Sequence, residues 1–299
     1  MHTTDSPGGI CPMLYAFFDR HDQLDPQGMR RQVKACVDNS AQGVAVLGLG
    51  TEVSKLSDHE RRTLVEWVAD ELAGRLPMVV TVNAPNVEAQ VEFARFARRQ
   101  GAAWVILQPP PGRNLTEEFL IRFFGAVADQ LDFPVAIQNA PEYLGVGLRP
   151  EGINTLRRQH PNFQILKGEG PAMTIRRFVE ATDGELPIFN GRGGLELTDN
   201  LRAGCAGMIP AVDTVDVQTR IYRWMRDGAE EEAEAAYRTI LPAIAFVMQS
   251  LETLHTYGKR LTAQRLGLGT VYDRQPGLPV ETFGMQCVQR FARQLGSLN

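Results

Sequence analysis

The chain has 299 residues, with 31 Lys+Arg against 35 Asp+Glu and a formal net charge of −4. That near balance excludes the basic stripe a nucleic-acid binder needs, and no apolar run reaches the roughly 18 residues of a membrane span. The length admits two domains or one barrel with an extension, and it buries a core large enough to need no disulfide or metal staple.

In chain order, the first nine residues, Met1–Gly9, have no positive n-region followed by an apolar stretch, so no signal peptide is expected. Cys11, Cys36, Cys205 and Cys287 lie far apart without metal-ligand spacing, which predicts reduced thiols in a cytoplasmic protein. Eight apolar runs then recur: Ile10–Phe18, Gly43–Leu49, Pro77–Val82, Ala102–Leu107, Pro134–Ile137, Phe163–Leu166, Leu186–Phe189 and Gly207–Pro210. They are nearly continuous rather than alternating, as expected of parallel strands buried on both faces.

Helical stretches separate these runs. Asp25-Pro26 predicts a cap followed by a first-turn proline, Ser57-Asp58-His59-Glu60 reads as a capping box, and Thr116-Glu117-Glu118 opens a third helix. Eight strands alternating with helices predict a (β/α)8 TIM barrel over residues 1–228, followed by a C-terminal helical extension over residues 229–299. A doubly wound sheet would place G-x-G-x-x-G after the first run, where Asp19-Arg20-His21-Asp22 stands instead.

In such a barrel, chemistry sits at the C-terminal strand tips. Only four of the basic residues are lysines (Lys34, Lys55, Lys167, Lys259), and Lys167 directly follows the sixth apolar run. Desolvation at a barrel mouth favours an uncharged amine, the form that attacks a carbonyl to make a Schiff base. The competing reading is a strand-end lysine that snorkels to solvent or pairs with Glu169. Glu169, two residues on, shares a face with Lys167 if the strand continues; it is either a proton-transfer group or a plain ion-pair partner.

Two other tips are candidate binding sites. In Gly48-Leu49-Gly50-Thr51-Glu52 the glycines let backbone N–H groups converge on a carboxylate, with Thr51 adding a hydroxyl. Asn190-Gly191-Arg192-Gly193-Gly194 reads as a phosphate cradle, a distal-carboxylate site through Arg192, or a turn with a solvated arginine. The histidines His2, His21, His59, His160 and His255 show no ligand spacing, and no G-x-S-x-G elbow occurs. No metal site and no serine-hydrolase triad are therefore expected.

The order of these motifs resembles the dihydrodipicolinate synthase / N-acetylneuraminate lyase family over essentially the whole chain. Gly48–Ser57 matches the family's G-T-T-G-E-x-x-x-L-S motif, Lys167 its Schiff-base lysine, Gly204-Cys205-Ala206-Gly207 its G-x-x-G, and Gly267-Leu268-Gly269 its tail motif. The resemblance implies a lyase acting on a small 2-oxo acid through a covalent imine on Lys167, with no other cofactor. It further implies a homo-oligomer, a tetramer or a dimer, with Ile209 lining the floor of the site.

Departures from the family are equally informative. Its strand-five tyrosine falls on Gln138, its two threonines on Leu49 and Gly50, its interface tyrosine on Pro111, and the synthases' arginine on or near Tyr143. Leucine and proline carry no exchangeable proton and an amide is a poor acid or base, which disfavours synthase-type condensation. Ile137-Gln138-Asn139-Ala140-Pro141 and Lys167-Gly168-Glu169 instead resemble the 2-keto-3-deoxy-L-arabonate dehydratases. That branch implies dehydration of a 2-oxo-3-deoxy sugar acid, with Glu169 as acid/base, Gln138 and Asn139 as site residues, and the carboxylate on the N–H groups of Gly50 and Thr51. A retro-aldol lyase releasing pyruvate and a non-catalytic 2-oxo acid-binding paralogue are the alternatives.

Overall fold

A computed structural model describes residues 7–112 and 115–298. Residues 1–6, His2 included, lie outside the described residues. Eight parallel strands follow in order: β1 (Gly9–Ile10), β2 (Val44–Val46), β3 (Met78–Val82), β4 (Ala102–Leu107), β5 (Val135–Asn139), β6 (Phe163–Gly168), β7 (Ile188–Asn190) and β8 (Gly207–Met208). Neighbours pair in the order β1-β8-β7-β6-β5-β4-β3-β2. A parallel bridge between Met13 and Ala45, with Leu14 N–H donating to Ala45 O and Ala45 N–H to Pro12 O, joins the two ends into a (β/α)8 barrel.

Each predicted run contains a strand, but the bounds move. The first strand begins one residue before the predicted run and takes in only Ile10 of it, beyond which Cys11 N–H and Met13 N–H still donate to Met208 O and Pro210 O. Tyr15 and Phe17 then leave the barrel wall and pack with Leu254, Leu261 and Phe291 of the C-terminal helices. The sixth strand runs two residues past the predicted end, so Lys167 lies within it rather than after it.

Around the barrel lie α1 (Pro26–Asp38), α2 (Asp58–Leu72), α3 (Val87–Arg99), α4 (Glu117–Ala128), α5 (Pro141–Leu144), α6 (Pro150–Gln159), α7 (Ala172–Ala181), α8 (Leu197–Arg202) and α9 (Val215–Asp227). The three predicted caps are made: Asp25 accepts from Gln27 N–H, Thr116 from Phe119 N–H, and Ser57 and Glu60 form the reciprocal capping box. Gly228 ends α9 in the left-handed region at φ +79°, where a side chain would be strained. The extension then forms α10 (Glu230–Val247), α11 (Leu251–Thr253), a π turn at Leu254–Gly258, α12 (Lys259–Arg265) and α13 (Thr282–Leu295). None of the described helices is long and apolar enough to cross a membrane.

Strand alternation separates two cores. Ala45, Val79, Trp104, Ile106, Ala136, Ile165 and Phe189 fill the barrel interior, while Val46, Val80, Val105, Ile137 and Leu166 face the surrounding helices. The period of two therefore carries any polar residue two places beyond Ala136 or Ile165 into the barrel mouth.

Candidate active site

By that parity Lys167 and Glu169 follow Ile165 inward, and Gln138 follows Ala136. Gln138 and Lys167 are direct partners in the β5–β6 register, so their side chains emerge side by side. Lys167 is 4% exposed and its ammonium pairs with Glu169 Oε1. The same oxygen accepts from Gln138 Nε2 at 2.7 Å. The pair is buried, so water screens its mutual attraction less than at the surface, and a carboxylate in this contact is within reach of the amine's protons.

The pocket above this pair is lined by Gly50, Tyr143, Lys167, Glu169, Gly191, Arg192 and Ile209, with Met248, Leu251 and Leu254 of the extension as its apolar roof. It is small, about 40 Å³, whereas a cavity of about 720 Å³ lies at the opposite barrel end among Pro77, Trp104, Pro134, Phe163 and Pro187. Location outweighs size here, because only the upper pocket lies at the C-terminal strand ends.

Two of the expected contacts are not brought to the pocket. Asn139 has the parity of Ile137 and turns outward, where its amide clamps Leu148: Nδ2 donates to Leu148 O at 2.9 Å and Oδ1 accepts from Leu148 N–H at 2.7 Å. Thr51 is fully buried, its hydroxyl donating to Leu14 O at 2.6 Å and its N–H to Gly48 O at 3.0 Å. Neither group is free for substrate. The N–H groups of Leu49 and Gly50, rather than those of Gly50 and Thr51, are the pair without an acceptor among the described residues.

Arg192 lines the pocket, but its guanidinium lies 3.2 Å from Glu196 and 3.6 Å from Glu142, so two carboxylates already balance its charge. Gly191 is required by its neighbour, since a Cβ there would stand 2.9 Å from Glu169 Cδ. Tyr143, on α5, is half-buried; burial first, then the Glu169 carboxylate, push its hydroxyl above the ordinary tyrosine value and keep it a proton donor.

Tertiary structure adds residues the motifs did not single out. The π turn aims His255 at the Gly48–Glu52 turn, where Nε2 donates to Leu49 O at 2.8 Å. Burial holds this imidazole below its ordinary value, in the neutral form, despite the nearby Glu52 carboxylate. Glu52, at φ +60°, ties the turn to the extension directly through Lys259 and, at 2.6 Å, through Lys55, whose ammonium also donates to Arg274 O at 3.0 Å. Burial disfavours the Glu52 charge, yet the Lys259 ammonium and the hydrogen bonds from Lys259 and Lys55 outweigh it and hold the carboxyl below its usual range. Among the described residues no group of three or more His, Cys, Asp or Glu side chains is arranged to hold a metal.

Comparison with known proteins places these features. The profile of the dihydrodipicolinate synthetase family matches residues 6–295. The 4-hydroxy-tetrahydrodipicolinate synthase of Thermus thermophilus is 35% identical over 207 residues, covering 68% of each chain. The Escherichia coli K12 protein YagE, whose name assigns it provisionally as a 2-dehydro-3-deoxy-D-gluconate aldolase, is 26% identical over 238 residues, 78% of this chain and 79% of YagE. The crystal structure of YagE in complex with pyruvate superposes with a TM-score of 0.85 at 22% identity, covering 96% of this chain and 98% of that one.

Proposed function

Because the chain belongs to the dihydrodipicolinate synthetase family and is a lyase of that family, we propose that it dehydrates a 2-oxo-3-deoxy sugar acid through an imine on Lys167. The observation that carries this reading is the buried Lys167–Glu169 pair at the closed end of the pocket, with Gln138 in hydrogen-bond contact.

The Lys167 amine adds to C2 of the substrate, and loss of the carbonyl oxygen as water leaves the iminium. This cation is the electron sink, so the reaction needs no bound cofactor. It acidifies the C3 proton, which passes to Glu169 and leaves an enamine. The enamine expels the C4 hydroxyl, which departs as water after taking a proton from Glu169 or from Tyr143. The substrate carboxylate rests on the free N–H groups of Leu49 and Gly50. A neutral hydroxylated tail suits the outer pocket, since Arg192 is already paired with Glu142 and Glu196.

The synthase reaction is disfavoured because Gln138, Leu49 and Pro111 provide no proton relay. Retro-aldol cleavage is the second reading, supported by the aldolase name of YagE. It uses the same imine with a base on the C4 hydroxyl. Four free, buried cysteines support a reducing compartment, and we place the enzyme in the cytoplasm as a homo-oligomer of dimeric or tetrameric order.

Borohydride trapping with pyruvate and a panel of 2-oxo acids, followed by mass mapping, is expected to label Lys167. Absence of any adduct there sinks both enzymatic readings and leaves a non-catalytic 2-oxo acid-binding protein. With a 2-oxo-3-deoxy pentonate, formation of 2-oxoglutarate semialdehyde is expected, and pyruvate in its place establishes the aldol reading.

A further inference from the structure

The tips of four consecutive strands each contribute one polar side chain to a single hydrogen-bonded ladder. Asn83, just past β3, donates from Nδ2 to Gln108 Oε1 at 2.6 Å. Gln108, just past β4, donates from Nε2 to Gln138 Oε1 at 2.7 Å, and Gln138 on β5 donates to Glu169 Oε1 at 2.7 Å. Gln108 and Gln138 are each 1% exposed, so water is not at hand to replace a missing partner.

The chemistry of the last member orients all the others. A carboxylate only accepts hydrogen bonds, so Gln138 must turn its amino group toward Glu169 and its carbonyl toward Gln108. Gln108 must then present its amino group, and Asn83 must follow. Reversing one amide alone sets carbonyl against carbonyl on one side and amino group against amino group on the other. The ladder therefore has two consistent states, all forward or all reversed. The forward state suits the anion; the reversed state suits a protonated Glu169 that donates to Gln138 Oε1.

Resting on the imine reading above, we propose that Gln108 is a positioning residue of the reaction. Through Gln138 it holds the ladder forward and decides which oxygen of Glu169 carries the proton. Glu169 Oε1 receives both the Gln138 amino group and the Lys167 ammonium, while Oε2 has no protein donor among the described residues. The C3 proton breaks from carbon and bonds to Oε2; the same proton leaves Oε2 for the departing C4 hydroxyl. Amides do not exchange protons in this role: they confine the exchange to one atom.

The test uses Gln108→Glu, which keeps the shape and as the carboxylate accepts only. Gln138 must then turn its amino group to position 108 and its carbonyl to Glu169, which favours the protonated acid. The other charged or titratable groups facing Glu169 are Lys167 on its own strand, Tyr143 from α5, and Arg192 after β7 with its partners Glu142 and Glu196. All stay unchanged in the variant. The acid limb of the kcat pH profile is expected to rise by about one to two units, the worth of one hydrogen bond to a charged group. Turnover at neutral pH is expected to fall roughly 10- to 100-fold, while borohydride trapping with pyruvate is retained at alkaline pH.

Asn83→Asp forces the same reversal from one rung further away, with its charge more distant, and is expected to move the limb in the same direction. An unmoved limb in Gln108→Glu overturns the proposal. So does a shift in Gln108→Glu with none in Asn83→Asp, since that pattern is direct charge repulsion rather than a ladder. A wild-type enzyme that traps no 2-oxo acid fails at the imine reading and takes this inference with it, whereas trapping with an unmoved limb sinks this inference alone.

Discussion

Glu52→Gln tests whether the extension is held to the barrel by charge. The substitution keeps the shape of a side chain that is 2% exposed but removes the anion on which Lys259, fully buried, and Lys55 both lean. The remaining carboxylate near Lys259 is Asp273, at 3.9 Å. Breaking a buried pair by removing one partner costs about 3–5 kcal/mol. Asp273 and the partial exposure of Lys55 place this case near 3 kcal/mol, a fall in Tm of roughly 5 °C for a chain of this size. The penalty depends on pH. Burial lowers the Lys259 pKa below its ordinary 10.5 and Glu52 opposes that shift; without Glu52 the variant's folded state holds the Lys259 proton less tightly than the wild type's, so the variant gains more stability than the wild type as pH rises through the window below 10.5. In the wild type, the Glu52 contribution is present above the carboxyl's ordinary 4.5 and is lost as pH falls through its lowered folded value. Urea unfolding at neutral and alkaline pH should therefore show a deficit that narrows as pH rises. Adding Lys259→Met should recover stability relative to Glu52→Gln alone. A single variant within 0.5 kcal/mol of wild type, or a double variant whose losses simply add, would refute the reasoning.

Glu169→Gln should keep borohydride labelling of Lys167 but lose about 10²- to 10⁴-fold in kcat, and unchanged turnover removes Glu169 from proton transfer. Gly191→Ala places a Cβ 2.9 Å from Glu169 Cδ, a displacement expected to cost roughly 10²-fold in kcat; a kcat within twofold of wild type shows that the carboxylate is not held in a critical place. Asp213 is buried, and desolvation, only partly offset by Arg265, raises its pKa from 3.8 to about 6. The folded state thus keeps this proton longer, so stability falls by about 3 kcal/mol as pH rises from about 4 to 6 and levels off above. Asp213→Asn should abolish that slope in urea titrations at pH 4 and 7, and a parallel slope in the variant refutes the assignment.

Much of the barrel was legible in the chain because its signals are local. Continuous apolar runs mark strands buried on both faces, and the caps at Asp25, Ser57 and Thr116 need only residues within a turn of themselves. Lys167 stood out through the scarcity of lysine and its place at the end of an apolar run. The period of two could also have sent Asn139 outward with Ile137 and Gln138 inward with Ala136, had the strand been followed past Ile137. Thr51 was misread for another reason: its N–H acceptor, Gly48 O, is local, but the acceptor of its hydroxyl, Leu14 O, is set by how the turn packs on the segment after the first strand.

The sequence by itself therefore determined the strand and helix rhythm, a lysine at the tip of the sixth strand and a glutamine rather than a tyrosine at the tip of the fifth. Tertiary structure alone decided that Arg192 is neutralised by Glu142 and Glu196, that His255 reaches Leu49 across 206 residues, and that amides from β3, β4 and β5 converge in one direction on Glu169. Hydrophobic periodicity is written along the chain. The partner of a buried polar group is a contact between strand tips that only barrel closure brings together.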